Sequence, residues 1–492
     1  MEKELLIAEK FGEIQIALIE NGKLSEFYIE NPLEKNIIGN IYKCKINKVI
    51  EGISACFVEL DDEDNAHLYS KDISIKAALV SNIINENIYK LFKNNNSNKS
   101  ILNYLKAGQN IIVQGKRNSS GKKHPKVTCK ITIPGKYIVF LPFHSSIAIS
   151  KKIKDPTTRK SLRELAKSIC PNAGLILRTS SAKVDKELII NEIEKLKKLW
   201  DDILKSFLNP KSKGLLYKAP PLRHELLIDL HHETELKKIK VSSLDIYNDI
   251  VNFCSQNLPI LKNKISLHLN EDLFEAYRVY DELDKALQPQ IWLKSGSYIV
   301  FNHTEALTSI DVNTGKSNSR KKAELNMLSI NLEAVNEICR QIRIRNIGGI
   351  IIIDFLPMAS PNQFNELFEK LKNELSKDKA KIRVSKDDNA SLAIIIRKKM
   401  RESLLANLSI KCPYCKGLGI IKSNKLICNQ IINQIISKSK FNRTLTITAH
   451  PSIISSLSNL YSSILNELKL KNKLSLNLVS NTKYHLNKFN IE

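Results

Sequence analysis

Thr304-Glu305-Ala306-Leu307-Thr308-Ser309-Ile310-Asp311-Val312-Asn313-Thr314-Gly315 and Gly348-Gly349-Ile350-Ile351-Ile352-Ile353-Asp354-Phe355 are two apolar runs, each ending in an aspartate. The interval between Asp311 and Asp354 suits a strand, a crossover helix and a neighbouring strand pointing the same way. Between them Leu325, Leu328, Leu332, Val335, Ile338 and Ile342 recur at steps of three and four, one apolar helix face on the sheet. Open α/β sheets put their ligands at such strand ends. Arg340, Arg343 and Arg345 crowd the end of the helix and are expected near the site. A hairpin, Trp292 to Val300, leads into the Asp311 strand.

Working outward, 492 residues exceed what one core organises, so a multidomain α/β chain is expected. The formal charge of +25 points to a polyanionic partner, first of all nucleic acid, although an AT-rich genome also enriches lysine. No apolar run reaches the roughly 20 residues that span a bilayer, and Met1-Glu2-Lys3-Glu4 lacks a secretion signal, so a cytoplasmic location is expected. Nine scattered cysteines fit reduced core thiols rather than a disulfide framework.

The N-terminal 35 residues read as a meander, with turns at Phe11-Gly12 and Asn21-Gly22. Short alternating strands from Gly39 to Tyr69, resumed at Gly108, read as a small barrel interrupted by a helical insertion over about 75–107 with a flexible tip at Asn94 to Asn98. Phe57 and His67 are candidates to stack on unpaired bases, with Lys43, Lys45, Lys48 and Lys116 meeting phosphates. A basic loop spans 117–126, and two strands surround Pro134-Gly135. The strand Leu175-Ile176-Leu177 runs into Arg178-Thr179, a guanidinium beside a hydroxyl that can grip a phosphate. Residues 220–286 read as mainly helical. A strand is expected at 382–384, a basic helix around Arg397 to Arg401, and a small α/β domain over 420–492.

Two carboxylates and an amide oxygen are hard donors suited to magnesium beside a phosphate. Asp311 and Asp354 would hold the ion, while Asn313 either coordinates or orients the phosphate; the matching chemistry is phosphodiester hydrolysis. Cys412-Pro413-Tyr414-Cys415 followed by Lys-Gly-Leu-Gly has the spacing of half a zinc knuckle. Cys428 stands alone, so either the pair is simply reduced or two chains each contribute two thiolates, which implies a homodimer.

Six passages in order resemble the RNase E/G family of endoribonucleases: Gly39 to Lys43, Thr304 to Asn313, Asn331 to Ala334, Arg340 to Arg345, Gly348 to Phe355 and Cys412 to Cys415. The resemblance runs from Gly39 to about Gly419. It implies an RNase H-like scaffold (1–35 and 224–287), an S1-type RNA-binding barrel (36–127), a 5′-monophosphate sensor (128–223) with Arg178 and Thr179 as its grip, and a DNase I-like catalytic domain (288–408). Beyond these come a zinc link at 409–420, shared between protomers of a homodimer that pairs into a homotetramer, and a small C-terminal domain (421–492). In length the chain is closer to ribonuclease G. The implied activity is magnesium-dependent, 5′-monophosphate-stimulated cleavage of single-stranded RNA in mRNA decay and rRNA or tRNA processing. His67 stands where the family often has phenylalanine, and Pro357 where it usually has an acid. Residues 389–397 lack its Phe-Gly or Leu-Gly and a downstream glutamate. The rival reading is a non-catalytic RNA-binding protein that has kept the barrel; the intact aspartates argue against it.

Overall fold

The computed structural model describes residues 2–492 except 33–34, 61–64, 94–99, 120–123, 232, 234, 316–322, 359, 388–390 and 440–442, and omits the side chains of 91, 93 and 323–326. The expected tip at Asn94 to Asn98, the side chain of Leu325, and Asn389 and Ala390 therefore lie outside the described residues. Two compact units, Met1–Leu404 and Leu405–Glu492, are treated separately.

In the first unit, strands β1 (Lys3–Lys10), β2 (Glu13–Glu20) and β3 (Lys23–Glu30) form the meander. Its turns place Phe11, Gly12, Asn21 and Gly22 all at positive φ, as two-residue hairpin turns that match strand twist require. Strands β4 (Ile41–Ile50), β5 (Ala55–Glu59), β6 (Asn65–Tyr69), β7 (Asn110–Arg117) and β8 (Lys126–Thr128) follow. They pair in the order β4-β5-β6-β8-β7, and β7 returns to β4, closing a five-stranded barrel. The insertion contributes helices Ile75–Val80 and Glu86–Lys93.

Next come β9 (Ile133–Pro134), β10 (Ile138–Leu141), β11 (Ile147–Ile149) and β12 (Gly174–Leu177), a four-stranded sheet packed under the helices Pro156–Ile169 and Lys186–Leu208. Proline 134 is thus in a strand rather than a turn between two. β13 (Gly214–Tyr217) joins the barrel through β4, whereas β14 (Leu236–Val241) and β15 (Ile265–Leu267) extend the meander in parallel past β1.

Strands β16 (Gln290–Trp292), β17 (Tyr298–His303), β18 (Leu307–Asn313), β19 (Gly349–Asp354), β20 (Ile382–Asp387) and β21 (Leu392–Arg397) form a sheet in the order β16-β17-β18-β19-β21-β20. Only β18 and β19 run parallel, and the helix Ala323–Ile344 connects them. Its Ile330, Val335, Ile338 and Ile342, with Phe364, Leu367 and Leu371 of the helix Pro361–Leu375, cover Ile310, Val312, Ile351 and Ile353 on one sheet face. Each such side chain contributes about 1.5–3 kcal/mol on leaving water. Alternation then puts Asp311, Asn313, Ile350 and Asp354 on the opposite face, away from these helices.

Two sequence expectations change. Asp311 does not terminate its strand, which continues to Asn313; both aspartates are exposed. The stretch through Arg397 is strand β21 rather than a basic helix, as the β-branched run Ile394-Ile395-Ile396 favours.

In the second unit, β22 (Thr444–Ala449), β23 (Ser475–Ser480) and β24 (Phe489–Ile491) make a three-stranded sheet under the helices Asn424–Lys438 and Pro451–Leu460.

Candidate active site

Because β18 and β19 are in parallel register with Asp311 opposite Asp354, the two carboxylates sit side by side on the open face. Among the described residues, no lysine, arginine or histidine forms an ion pair with either. Partial burial, and then the negative charge of Asp311, push the Asp354 carboxyl above its ordinary range. The Asn313 Nδ2 donates to Asp311 Oδ2 at 2.8 Å. A carboxylate only accepts, so the amide must turn its NH2 towards Asp311, which leaves its carbonyl oxygen available.

The end of β19 is fixed from behind. Asn331, fully buried on the crossover helix, donates to the Leu356 carbonyl at 3.0 Å and accepts the Leu356 N–H at 3.1 Å. Glu333 accepts the Lys294 N–H at 2.9 Å and ties the β16–β17 hairpin to the same helix. Asn331 and Glu333 belong to the Asn331-Leu332-Glu333-Ala334 passage singled out in the sequence.

The three arginines expected near the site are elsewhere. Arg340 pairs with Glu282 at 2.5 Å and Glu337 at 2.6 Å, and Arg343 with Glu20 at 2.9 Å and Glu26 at 3.0 Å. Arg345 donates to Gln341 and the Gln288 carbonyl and lies 4.2 Å over the Phe301 ring. Arg397, opposite Gly349 at the start of β19, pairs with Asp378 at 2.7 Å. The Glu282 partner of Arg340 and the Glu20 and Glu26 partners of Arg343 lie far away in sequence, so charge clustering alone could not distinguish ligand contacts from internal ion pairs.

On the barrel, Phe57 and His67 face each other across β5 and β6, rings 4.3 Å apart. His124 (5.5 Å from His67) and Tyr69 (6.1 Å) complete an aromatic cluster, and Lys126 lies 4.3 Å over Tyr69. Burial, then the charges of His124, Arg117 and Lys126, lower the His67 pKa. Lys116 and Lys126 meet Asp72 at 2.7 and 3.3 Å, holding two ammonium groups beside the cluster. Lys43 instead donates to the Asn209 carbonyl at 2.8 Å, against the end of the helix Lys186–Leu208, and burial lowers its pKa.

Arg178 is engaged as well. Its Nη1 contacts Asp229 at 2.7 Å, and Thr179 shares a 2.8 Å hydrogen bond with Ser150.

In the second unit, Cys412 and Cys415 are close to solvent, and the Gly419 N–H donates to Cys415 Sγ at 3.3 Å. The Gly419 amide first, then that of Gly417, lowers the Cys415 pKa, as a thiolate knuckle needs. Cys428 is buried in the core.

The Ribonuclease E/G family model matches residues 132–400, more than half of the chain. This chain belongs to the ribonuclease E/G family. It is similar to Ribonuclease G of Haemophilus influenzae, with 34% identity over 435 residues, 88% of this chain and 87% of that protein. Similarity to Ribonuclease G of Escherichia coli K12 is 31% over 438 residues, 89% of this chain and 88% of that protein. To Ribonuclease E of Synechocystis it is 29% over 430 residues, 85% of this chain and 60% of that protein. The chain is accordingly an endoribonuclease with a role in RNA processing, and RNA is its partner. No described helix is long and apolar enough to cross a membrane.

Enzymes of the ribonuclease E/G family are generally metal-dependent. Among the described residues no group of three or more His, Cys, Asp or Glu is placed to hold a metal ion. Two adjacent carboxylates without a counterion among the described residues, plus an amide oxygen, fit a hard cation that takes its remaining ligands from water and phosphate. Sequence reasoning missed Tyr69, His124 and Lys126. Alternation along β6 places Tyr69 on the His67 face, but His124 and Lys126 arrive there only through the β6–β8 pairing.

Proposed function

We propose that this endoribonuclease cleaves single-stranded RNA with magnesium held by Asp311 and Asp354. What carries the reading is the register that sets these two carboxylates side by side on the open sheet face, with no counterion among the described residues. Asn313 orients Asp311 through its NH2 and offers its carbonyl oxygen to the ion or its water. Bound there, magnesium supplies a Lewis acid that offsets charge building on the phosphate and acidifies a water for attack. A cation held there would keep the Asp354 carboxyl, raised in pKa by burial and by the charge of Asp311, in its ionised form. Asn331 keeps Asp354 in line by pinning the chain two residues later.

In this reading 288–408 is the DNase I-like catalytic domain and 36–127 the S1-type barrel, whose Phe57, His67, Tyr69 and Lys126 grip unpaired RNA. Residues 1–35 with 224–287 form the RNase H-like scaffold, and 128–223 the 5′-monophosphate sensor. A terminal phosphate at Arg178 and Thr179 competes with Asp229 for the guanidinium. Cys412 and Cys415 of two chains complete a tetrahedral zinc site, giving a homodimer, and pairing of such dimers gives a tetramer.

The test compares 5′-monophosphorylated and 5′-triphosphorylated single-stranded oligonucleotides with magnesium or with EDTA. The expected result is cleavage that needs magnesium and is faster from the monophosphate. Equal cleavage in EDTA would overturn the metal role, and equal rates from both ends would overturn the sensor. Native mass measurement before and after chelation should give one zinc per dimer; one per monomer contradicts the shared link.

A further inference from the structure

We propose that Trp292 and Tyr298 form a stacking platform for a nucleobase next to the scissile phosphate. The inference rests on the nuclease reading of Asp311 and Asp354.

The two aromatics are directly opposed on β16 and β17, with ring centroids 5.1 Å apart and planes inclined by 55°. Tyr298 is in turn directly opposed to Asn313. The row Trp292–Tyr298–Asn313 therefore crosses three strands on the face that carries Asp311 and Asp354. Strands lie about 4.8 Å apart, so the platform's backbone is roughly 5 and 10 Å from that of Asn313, the reach of one nucleotide.

A ring whose role is packing is covered, yet Trp292 is 65% exposed. Among the described residues its indole N–H has no hydrogen-bond partner. The two rings open onto a cavity of about 740 Å³ lined also by Gln290, Asn313 and Gly315. None of the described residues lining it is charged, which suits a base rather than a phosphate. Its wall is built from glycine by necessity: at Gly315 (φ +69) a Cβ would come within 2.3 Å of the Gly296 carbonyl oxygen. Base–aromatic stacking tolerates any sequence, so the platform would position the chain at the carboxylates without demanding a motif.

The protein contains two tryptophans, and Trp200 is 7% exposed in the core, so RNA can reach only Trp292. The full-length protein is titrated in EDTA with a short single-stranded oligoribonucleotide, and with the same oligomer carrying an abasic position at each site in turn, while tryptophan emission and affinity are followed. The expected result is quenching by the intact oligomer that weakens when one particular base is missing. Trp292→Leu, which keeps apolar bulk on the strand, lowers affinity between about fivefold and about a hundredfold, and Trp292→Phe restores most of it. RNA that binds without changing the emission, or binds Trp292→Leu as tightly, overturns the platform and leaves the nuclease reading standing. No RNA binding at all overturns both.

Discussion

The two ends of strand β19 hold charge in opposite ways. At its C-terminal end, Asp354 and its neighbour Asp311 share one sign of charge, and no described cation answers them. At its N-terminal end and along the adjacent helix terminus, Arg340, Arg343 and Arg397 are saturated by carboxylates at 2.5–3.0 Å. The same sheet thus carries a balanced polar joint that holds the meander, the crossover helix and β21 together, and a pair of like charges with no counterion among the described residues. Charge density alone does not mark a functional site; the absence of a partner among the described residues does.

The largest effect expected falls on the balanced end. Arg343→Met removes the guanidinium shared by Glu20 and Glu26 in a largely buried setting, leaving Glu20 with Lys3 and Glu26 with Lys379 and the Tyr28 hydroxyl, and should cost about 3–5 kcal/mol of folding stability. Urea denaturation reads this directly, and a loss below about 1 kcal/mol would mean the joint behaves like a surface pair. At the unbalanced end Asp354→Asn should do the reverse, leaving stability equal or slightly higher while cleavage falls by about 10²–10³-fold, the scale on which single electrostatic groups act in catalysis. Single-turnover rates together with the melting temperature separate the two ends.

Asn331→Ala acts between them. It leaves the partly buried Leu356 N–H and carbonyl without their Asn331 partner, at about 1–3 kcal/mol, and loosens Asp354. A lower kcat accompanied by weaker magnesium dependence is expected; loss of stability alone would make Asn331 purely structural.

The smallest effect is in pH. Burial pushes the Glu26 carboxyl up, but Lys379, Arg343 and the Tyr28 hydroxyl outweigh it and hold it at about 2. Its stabilisation is complete above the ordinary 4.5 and is lost as pH falls through about 2. Asp354 has the opposite sign: its contribution is present below 3.8 and lost as pH rises through its raised value. Added magnesium should abolish only the second dependence in stability measured against pH.

The unbalanced end was the more legible in sequence. Two apolar runs separated by a helix-length segment imply adjacent parallel strands, and with Ile310 and Ile353 in the core, alternation puts both aspartates on the other face. The closed barrel was legible for the same reason, since its strands alternate. The balanced end was not legible, because Arg343 finds Glu20 and Glu26 in another sheet, more than 300 residues away. Arg397 misled similarly: beside three further basic residues it read as a helix face, while its guanidinium is buried against Asp378. The Trp292–Tyr298 pair was visible only as a hairpin, since its exposure depends on helices covering the other face.

The most direct measurement is RNA cleavage by the Asp311→Asn, Asp354→Asn double variant, with folding and RNA affinity recorded on the same preparation. The account predicts a folded protein that binds RNA and does not cut it at any magnesium concentration. Magnesium-dependent cleavage at the native rate would contradict it.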